Sequence, residues 1–281
     1  MAIARTESTR KSVEQEYRYE HLTWPEINEA VAMKKAVVLP VGSTEQHGHH
    51  LPLDVDAKLS SSVVYEAARR APADMLVLPP VAYGYCHHVM DFPGTINIEP
   101  GTFVKFLLDI TRSVAYHGFK RIAVINGHGS NTPMIDLIAR RTTLETPSLC
   151  CAFGYYNMGK DETHAMLESG TYAHADEWET SLYLHFDKAR VQMDKAVKDQ
   201  DRVGKTMTSD STTNVRFNDY WGRWTKTGVH GDPTVATPEK GKKILEIVMK
   251  HMLEWLNEYR EWPIEKRSDQ HRLPVPKDIR W

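Results

Sequence analysis

The chain has 281 residues, 41% of them hydrophobic, and a formal net charge of −2 at neutral pH. That length supports one large α/β domain with a substantial core, and the near-balanced charge gives no electrostatic case for nucleic acid or an anionic membrane as a partner. No apolar run reaches the ~18 residues of a spanning helix, residues 1–20 lack a signal-peptide pattern, and three cysteines, two of them adjacent, make a poor disulfide framework, so the expected location is the cytoplasm.

Residues 1–20 read as a polar arm, residues 21–262 as one catalytic domain and residues 263–281 as a Pro- and charge-rich tail. Within the domain, residues 36–42 (Ala-Val-Val-Leu-Pro-Val-Gly) form an apolar run that predicts a buried strand. Helices and strands then alternate: helix 57–70, strand 75–79, helix 100–117, strand 121–126, helix 132–143, strand 148–153, helix 177–186. Cys150 and Cys151 lie in the last strand and read as small buried hydrophobes. Residues 200–231 are polar and then aromatic, through Phe217, Tyr220, Trp221 and Trp224, and read as a long excursion. Residues 238–259 predict a closing helix. Strand–helix alternation of this kind predicts a three-layer α/β/α fold around a mostly parallel sheet.

In such sheets ligands bind beyond the carboxyl ends of the strands. The metal-competent residues fall there in four separate loops: Glu45 to Asp56 after the first strand, Tyr83 to His88 after the second, Gly127 to Asn131 after the third, and His174 to Glu179 after the fourth. Glu45 and His47 are two apart, so on an extended segment both face the same way. Asp56 opens the following helix and has two oxygens with which to bridge two ions; Asp54 is its rival. His128 sits between glycines that let the backbone approach a ligand, although a Gly-rich loop ahead of a helix also suits an anion. Asp176 and Glu177 fit ordinary first-turn helix-dipole chemistry. His174 and Glu179, followed by an apolar run, fit burial at a site better. Adjacent histidines diverge, so at most one of His49 and His50, and one of His87 and His88, is expected to face it.

Three carboxylates (Glu45, Asp56, Glu179) and one hydroxide balance two divalent cations. Two neutral imidazoles (His47, His128) bring the coordination near completion and leave open positions, the mark of a catalytic site. The mixed N/O set suits zinc or manganese.

Together these segments resemble the creatininase (creatinine amidohydrolase) family. The resemblance is carried by Leu22-Thr23-Trp24, Gly42-Ser43-Thr44-Glu45-Gln46-His47-Gly48-His49-His50, Asp56, Tyr83-Gly84-Tyr85, Phe92-Pro93-Gly94-Thr95, His117-Gly118-Phe119, Asn126-Gly127-His128-Gly129-Ser130-Asn131, His174 with Glu179-Thr180-Ser181, and Gly228-Val229-His230-Gly231-Asp232-Pro233. It implies an α/β/α fold, a binuclear metal site and a homo-oligomer, commonly a hexamer. Glu45 and His128 would hold one ion, His47 and Glu179 the other, and Asp56 would bridge them. His174 would move a proton or bind substrate. One position departs from the pattern: creatininase proper has a catalytic glutamate where this chain has Ser130. A serine cannot replace a carboxylate as proton shuttle, and Glu177 is the expected replacement. Ser130, Tyr85, His88 and Trp224 are the expected substrate contacts.

The expected activity is metal-dependent hydrolysis of a small polar cyclic amide or a formamide, with a hydroxide bridging two Zn and/or Mn ions as nucleophile. The alternative is C–C hydrolysis of a cyclic diketone derived from inositol.

Overall fold

The computed structural model describes residues 12–170, 173–199 and 218–273. Parts of three expected segments lie outside it: residues 1–11 of the arm, 200–217 of the excursion (Phe217 included) and 274–281 of the tail.

Four parallel strands build the sheet in the order β2-β1-β3-β4. They are β1 (Ala36–Val41), β2 (Met75–Val77), β3 (Arg121–Asn126) and β4 (Leu149–Gly154). Successive side chains point to opposite faces, and both faces are covered, so β1 reads as an unbroken apolar run in which all six residues are buried. Val38, Val77 and Ile125 pack beneath α2 (Val55–Arg70), α6 (Glu177–Asp187) and α7 (Pro238–Glu261). Val37, Leu39, Leu76 and Val124 pack beneath α1 (Trp24–Ala32), α3 (Pro100–Tyr116) and α4 (Thr132–Glu145). The result is the expected three-layer α/β/α arrangement. A short helix, α5 (Lys160–His164), follows β4.

Two helices were not expected, α1 and α5. The first has a full capping box, Thr23 and Glu26 bonding reciprocally, with proline in its first turn. Residues 12–20, expected as a surface arm, are docked along the sheet. Val77 N–H donates to Tyr17 O at 2.7 Å, and the buried Lys35 ammonium donates to the carbonyls of Val13, Glu16 and Pro72. All three cysteines are free; Cys150 is buried and Cys151 half-buried. Among the described residues no helix is long and apolar enough to cross a membrane.

The strand order positions the site. β1 pairs with β2 on one side and β3 on the other, so the chain leaves the ends of β1 and β3 in opposite directions and a crevice opens between them. The first turn of α2 is wedged into that crevice. Gly42, after β1, and Gly127, after β3, are what allow it. A Cβ on Gly42 would lie 2.4 Å from Ala57 N, and one on Gly127 would lie 2.3 Å from Asp56 O.

Candidate metal centre and cleft

Asp56, delivered by that wedge, lies between two imidazoles. Its Oδ1 is 3.2 Å from His47 Nε2 and its Oδ2 is 2.9 Å from His128 Nδ1. Glu179 Oε2, from the first turn of α6, is 3.7 Å from His47 Nε2. Glu45 Oε1 is 3.4 Å from His128 Nδ1 and 3.7 Å from His174 Nδ1. The five expected ligand residues thus converge from three of the four loops, those after β1, β3 and β4, all of them at least partly buried. Asp54, the rival to Asp56, faces elsewhere: it accepts from Tyr183 Oη at 2.8 Å and lies beside Arg190.

Each imidazole is oriented by a main-chain carbonyl. His128 Nε2 is 3.0 Å from Tyr85 O, His47 Nδ1 is 3.2 Å from Glu45 O, and His174 Nε2 is 2.9 Å from Gln46 O. A nitrogen that donates to a carbonyl leaves the other ring nitrogen to coordinate a metal once it has lost its proton, and here each remaining nitrogen faces the carboxylates. This is the outer-shell arrangement that presents a histidine to a metal. Asn131 and Asn126 brace the His128 loop: Asn131 Nδ2 donates to Gly42 O, and Asn126 Oδ1 accepts from His128 N–H.

The donor set fits divalent metal ions. His47 Nε2 and Glu45 Oε2 are buried with no hydrogen-bond partner among the described residues. Orphaned buried polar atoms are costly, and two of them at one cluster are what a cation would satisfy. His47, Asp56 and Glu179 offer ligand atoms within 4.8 Å of one another, as do Glu45, His47 and His174, and Glu45, Cys86 and His128.

The electrostatics fit as well. Burial disfavours a charged His47, but Asp56 against its ring, with Glu179 and Glu45, outweighs burial and holds its pKa up at about 9. His128 is likewise raised against its burial, by Glu45 and Asp56. Burial raises the pKa of Asp56, yet His47 and His128 hold it far below the carboxylate range. Protons on the two rings therefore occupy the role of cations, and a metal must displace them. Affinity for Zn or Mn should fall as pH is lowered through the region below about 9, by up to about tenfold per pH unit for each proton released. Chelator competition at several pH values measures that slope; an affinity independent of pH would contradict it.

The cluster floors a cleft of about 440 Å³. His88 and Ser130 form one wall, joined by a 3.2 Å contact between His88 Nε2 and Ser130 Oγ, with the His88 ring stacked on His128. Trp221 roofs it, edge-on to His174 at 4.5 Å, His88 at 5.7 Å and His230 at 5.8 Å between ring centroids. Trp224 lies in the same wall, its indole N–H donating to Asp219. Residues 218–230 therefore close over their own chain's cleft. Of the paired histidines, His87 turns to Tyr220, and His50 is buried with its Nε2 2.9 Å from Thr180 Oγ1.

Two expectations are corrected. Glu177 does not reach the cleft. It is fully buried, its Oε1 paired with Lys240 Nζ at 2.5 Å and its Oε2 accepting from Ser169 N–H at 2.7 Å. Residues two apart on a helix project about 200° apart, so with Glu179 facing the metal ligands Glu177 faces α7. Tyr85 is not a cleft residue either: its ring packs against the core beneath α3, and its main chain serves the site, the carbonyl through His128 and the N–H through Asn131 Oδ1.

Glu177 is then a stability element. Burial pushes its pKa up, but Lys240 and the Ser169 N–H outweigh burial and hold it below the usual carboxylate value. Its contribution is complete above the ordinary carboxylate range and is lost as pH falls through the lowered value. Glu177→Gln should cost about 1.5–3 kcal/mol of stability by denaturant titration while metal content is kept. A loss of metal or of turnover without a loss of stability would contradict this placement.

Four residues in or beside the cleft were given no role there from the sequence, Asp176 being expected only as a first-turn acid of its helix. Asp176 caps α6, accepting from the N–H groups of Trp178, Glu179 and Ala173. Gln46 donates to Gly228 O and accepts from Gly48 N–H, tying the β1 loop to the 228–231 segment. His230 pairs its main chain with His174, and Trp221 is the roof.

Comparison with known proteins agrees with the fold. A family model described as Creatininase: creatinine amidohydrolase matches residues 20–256. The mycofactocin precursor peptide peptidase of Mycolicibacterium smegmatis is 33% identical over 217 residues, 76% of this chain and 81% of its own. The creatinine amidohydrolase of Pseudomonas putida is 39% identical over 120 residues, 41% of this chain and 45% of that one. The 3-dehydro-scyllo-inosose hydrolase of Thermotoga maritima is 27% identical over 172 residues, 59% and 55% respectively. Among solved structures, a manganese form of creatininase has a TM-score of 0.75 at 28% identity, covering 89% of this chain and 100% of that one. A Zn-Zn form gives 0.75 at 28%, covering 90% and 100%.

Proposed function

The chain belongs to the creatininase family, and from that premise we propose that it is a metal-dependent hydrolase of a C–N amide bond in a small polar substrate. His47, Asp56 and Glu179 would hold one divalent cation and Glu45, His128 and Asp56 a second. The observation that carries this reading is the pair of orphaned buried atoms, His47 Nε2 and Glu45 Oε2, beside a carboxylate shared between two imidazoles. Such cations, when bound, supply Lewis acidity toward a carbonyl oxygen and an acidified water.

The chain's own residues do the rest. His174 Nε2 is held by Gln46 O, which leaves Nδ1 facing Glu45 at 3.7 Å. It would take up the proton lost by the attacking water and return it to the nitrogen as the C–N bond breaks. On the facing wall Ser130 and His88 hydrogen-bond the substrate and fix its orientation. Trp221 and Trp224 pack on it and exclude bulk water. Glu177 has no part in the chemistry. A homo-oligomeric assembly belongs to the same reading.

A cleft of about 440 Å³ lies in the ~300–1,000 Å³ range of sites for drug-sized ligands. There is room for more than one small ring, and a relative is named as a peptide peptidase. The test is hydrolysis by the Zn- or Mn-loaded protein across lactams and hydantoins, formamides, short peptides and inositol-derived ring ketones. Turnover of an amide, abolished by chelation and restored by metal, is the expected result. Turnover of the ketones alone would replace this reading with C–C hydrolysis.

A further inference from the structure

A second cavity, of about 430 Å³, lies at the amino ends of the strands, on the opposite rim of the sheet from the cleft. The loops that lead into β1, β3 and β4 surround it. Lys34, Lys35, Lys120 and Arg121 line it together with the apolar Phe119 and Ile264, and no carboxylate lines it among the described residues.

Packing accounts for only part of this charge. Lys35 is spent on three main-chain carbonyls. Arg121 donates from Nε to Tyr259 O and from Nη2 to Trp262 O, which leaves Nη1 for another acceptor. Lys34 and Lys120 are exposed and make no ion pair among the described residues. Helices α1 and α3 end nearby, and a cation is favourable within a helix's last turn. That explains one lysine at each end; it does not explain why both, with an arginine, share the wall of one cavity without a counter-charge. Like charges so grouped repel, and the arrangement is relieved by an anion. Gly118, at φ +102, keeps the cavity open beside Val31: a side chain there would be strained and would crowd Val31 Cγ1 at 3.3 Å.

We propose that this cavity is a second ligand site, for a small organic anion that carries a multiply charged oxyanion group on an apolar body. The oxyanion sits among Lys34, Lys120 and Arg121, and the body lies on Val31 and Ile264. The proposal is independent of the amide chemistry, because none of these residues reaches the cleft.

Isothermal titration calorimetry of the metal-loaded protein at low ionic strength tests it, with phenyl phosphate and phthalate as phosphate and carboxylate probes. Saturable binding is expected. Lys34→Glu with Lys120→Glu should weaken it at least about tenfold, while the charge-matched control Lys105→Glu with Lys188→Glu leaves it unchanged. The preferred probe identifies the oxyanion. Binding should also survive Asp56→Ala, which removes the alternative of anion capture by cleft metals. Absence of saturable binding by either probe, equal weakening in both double variants, or loss in Asp56→Ala would each overturn the proposal.

Discussion

Asp56→Ala is expected to strip the protein of bound metal and to lower amide turnover by more than about 100-fold. Outer-shell partners of a metal cost ~10–100-fold when removed, and Asp56 stands closer than that. Its two oxygens face different imidazoles at 3.2 and 2.9 Å, and Ser43 Oγ donates to Oδ2 at 2.5 Å to fix the rotamer. Deleting it removes the single group that touches both halves of the cluster. It also leaves His47 without the partner that most offsets its burial, and His128 without the second of its two after Glu45, so both rings become poorer at holding a charge. Elemental analysis after metal loading and dialysis, together with turnover of a panel amide, reads the result. Full metal content in the variant would refute the shared-ligand assignment. Asp56→Asn would separate charge from shape: it keeps the side-chain volume and should still lose metal.

Gly127→Ala should destabilise the protein by about 3 kcal/mol or more and weaken metal binding with it. Overpacking a tight site ordinarily costs ~1–3 kcal/mol, and more where backbone is the obstacle. Here the new Cβ would sit 2.3 Å from Asp56 O and 3.0 Å from Asp56 C. Relief requires the first turn of α2 to back out of the crevice between β1 and β3, carrying Asp56 with it. Gly129→Ala is the matched control in the same loop. Nothing lies within 4 Å of its Cβ position, and its stability should change by no more than about 0.5 kcal/mol. Urea titration of the pair decides the matter: equal stabilities would show that α2 is not wedged as described.

Much of the site was legible in the sequence because the parallel sheet gathers strand-end loops on one rim. Glu45, His47, Asp56, His128 and Glu179 stand two to six residues from strand ends or in first helical turns, where pattern reading is strong. The alternation of apolar runs likewise fixed four strands and the helices between them to within a few residues. What was illegible depended on contacts across long stretches of chain. Glu177 and Glu179 look alike in the sequence; only the arrival of Lys240, 63 residues later, shows which of them is neutralised away from the cleft. Tyr85 looked like a ring for substrate, but its main chain is the functional part, and no sequence pattern separates the two. His230 lay in a noted segment without a role, and Trp221 in an aromatic stretch suited to stacking on a ring, since only the return of residues 218–230 over the cleft brings them to His174. The first helix is a different kind of miss. Thr23, Pro25 and Glu26 spell a capping box with proline in the first turn, so the signal was present and local.

The most direct test of the account is anomalous diffraction from crystals of the Zn- or Mn-loaded protein. Two peaks are predicted, one among His47, Asp56 and Glu179 and the other among Glu45, His128 and Asp56, with Asp56 between them. No peak at this cluster, or a peak only at residues outside it, would contradict the assignment.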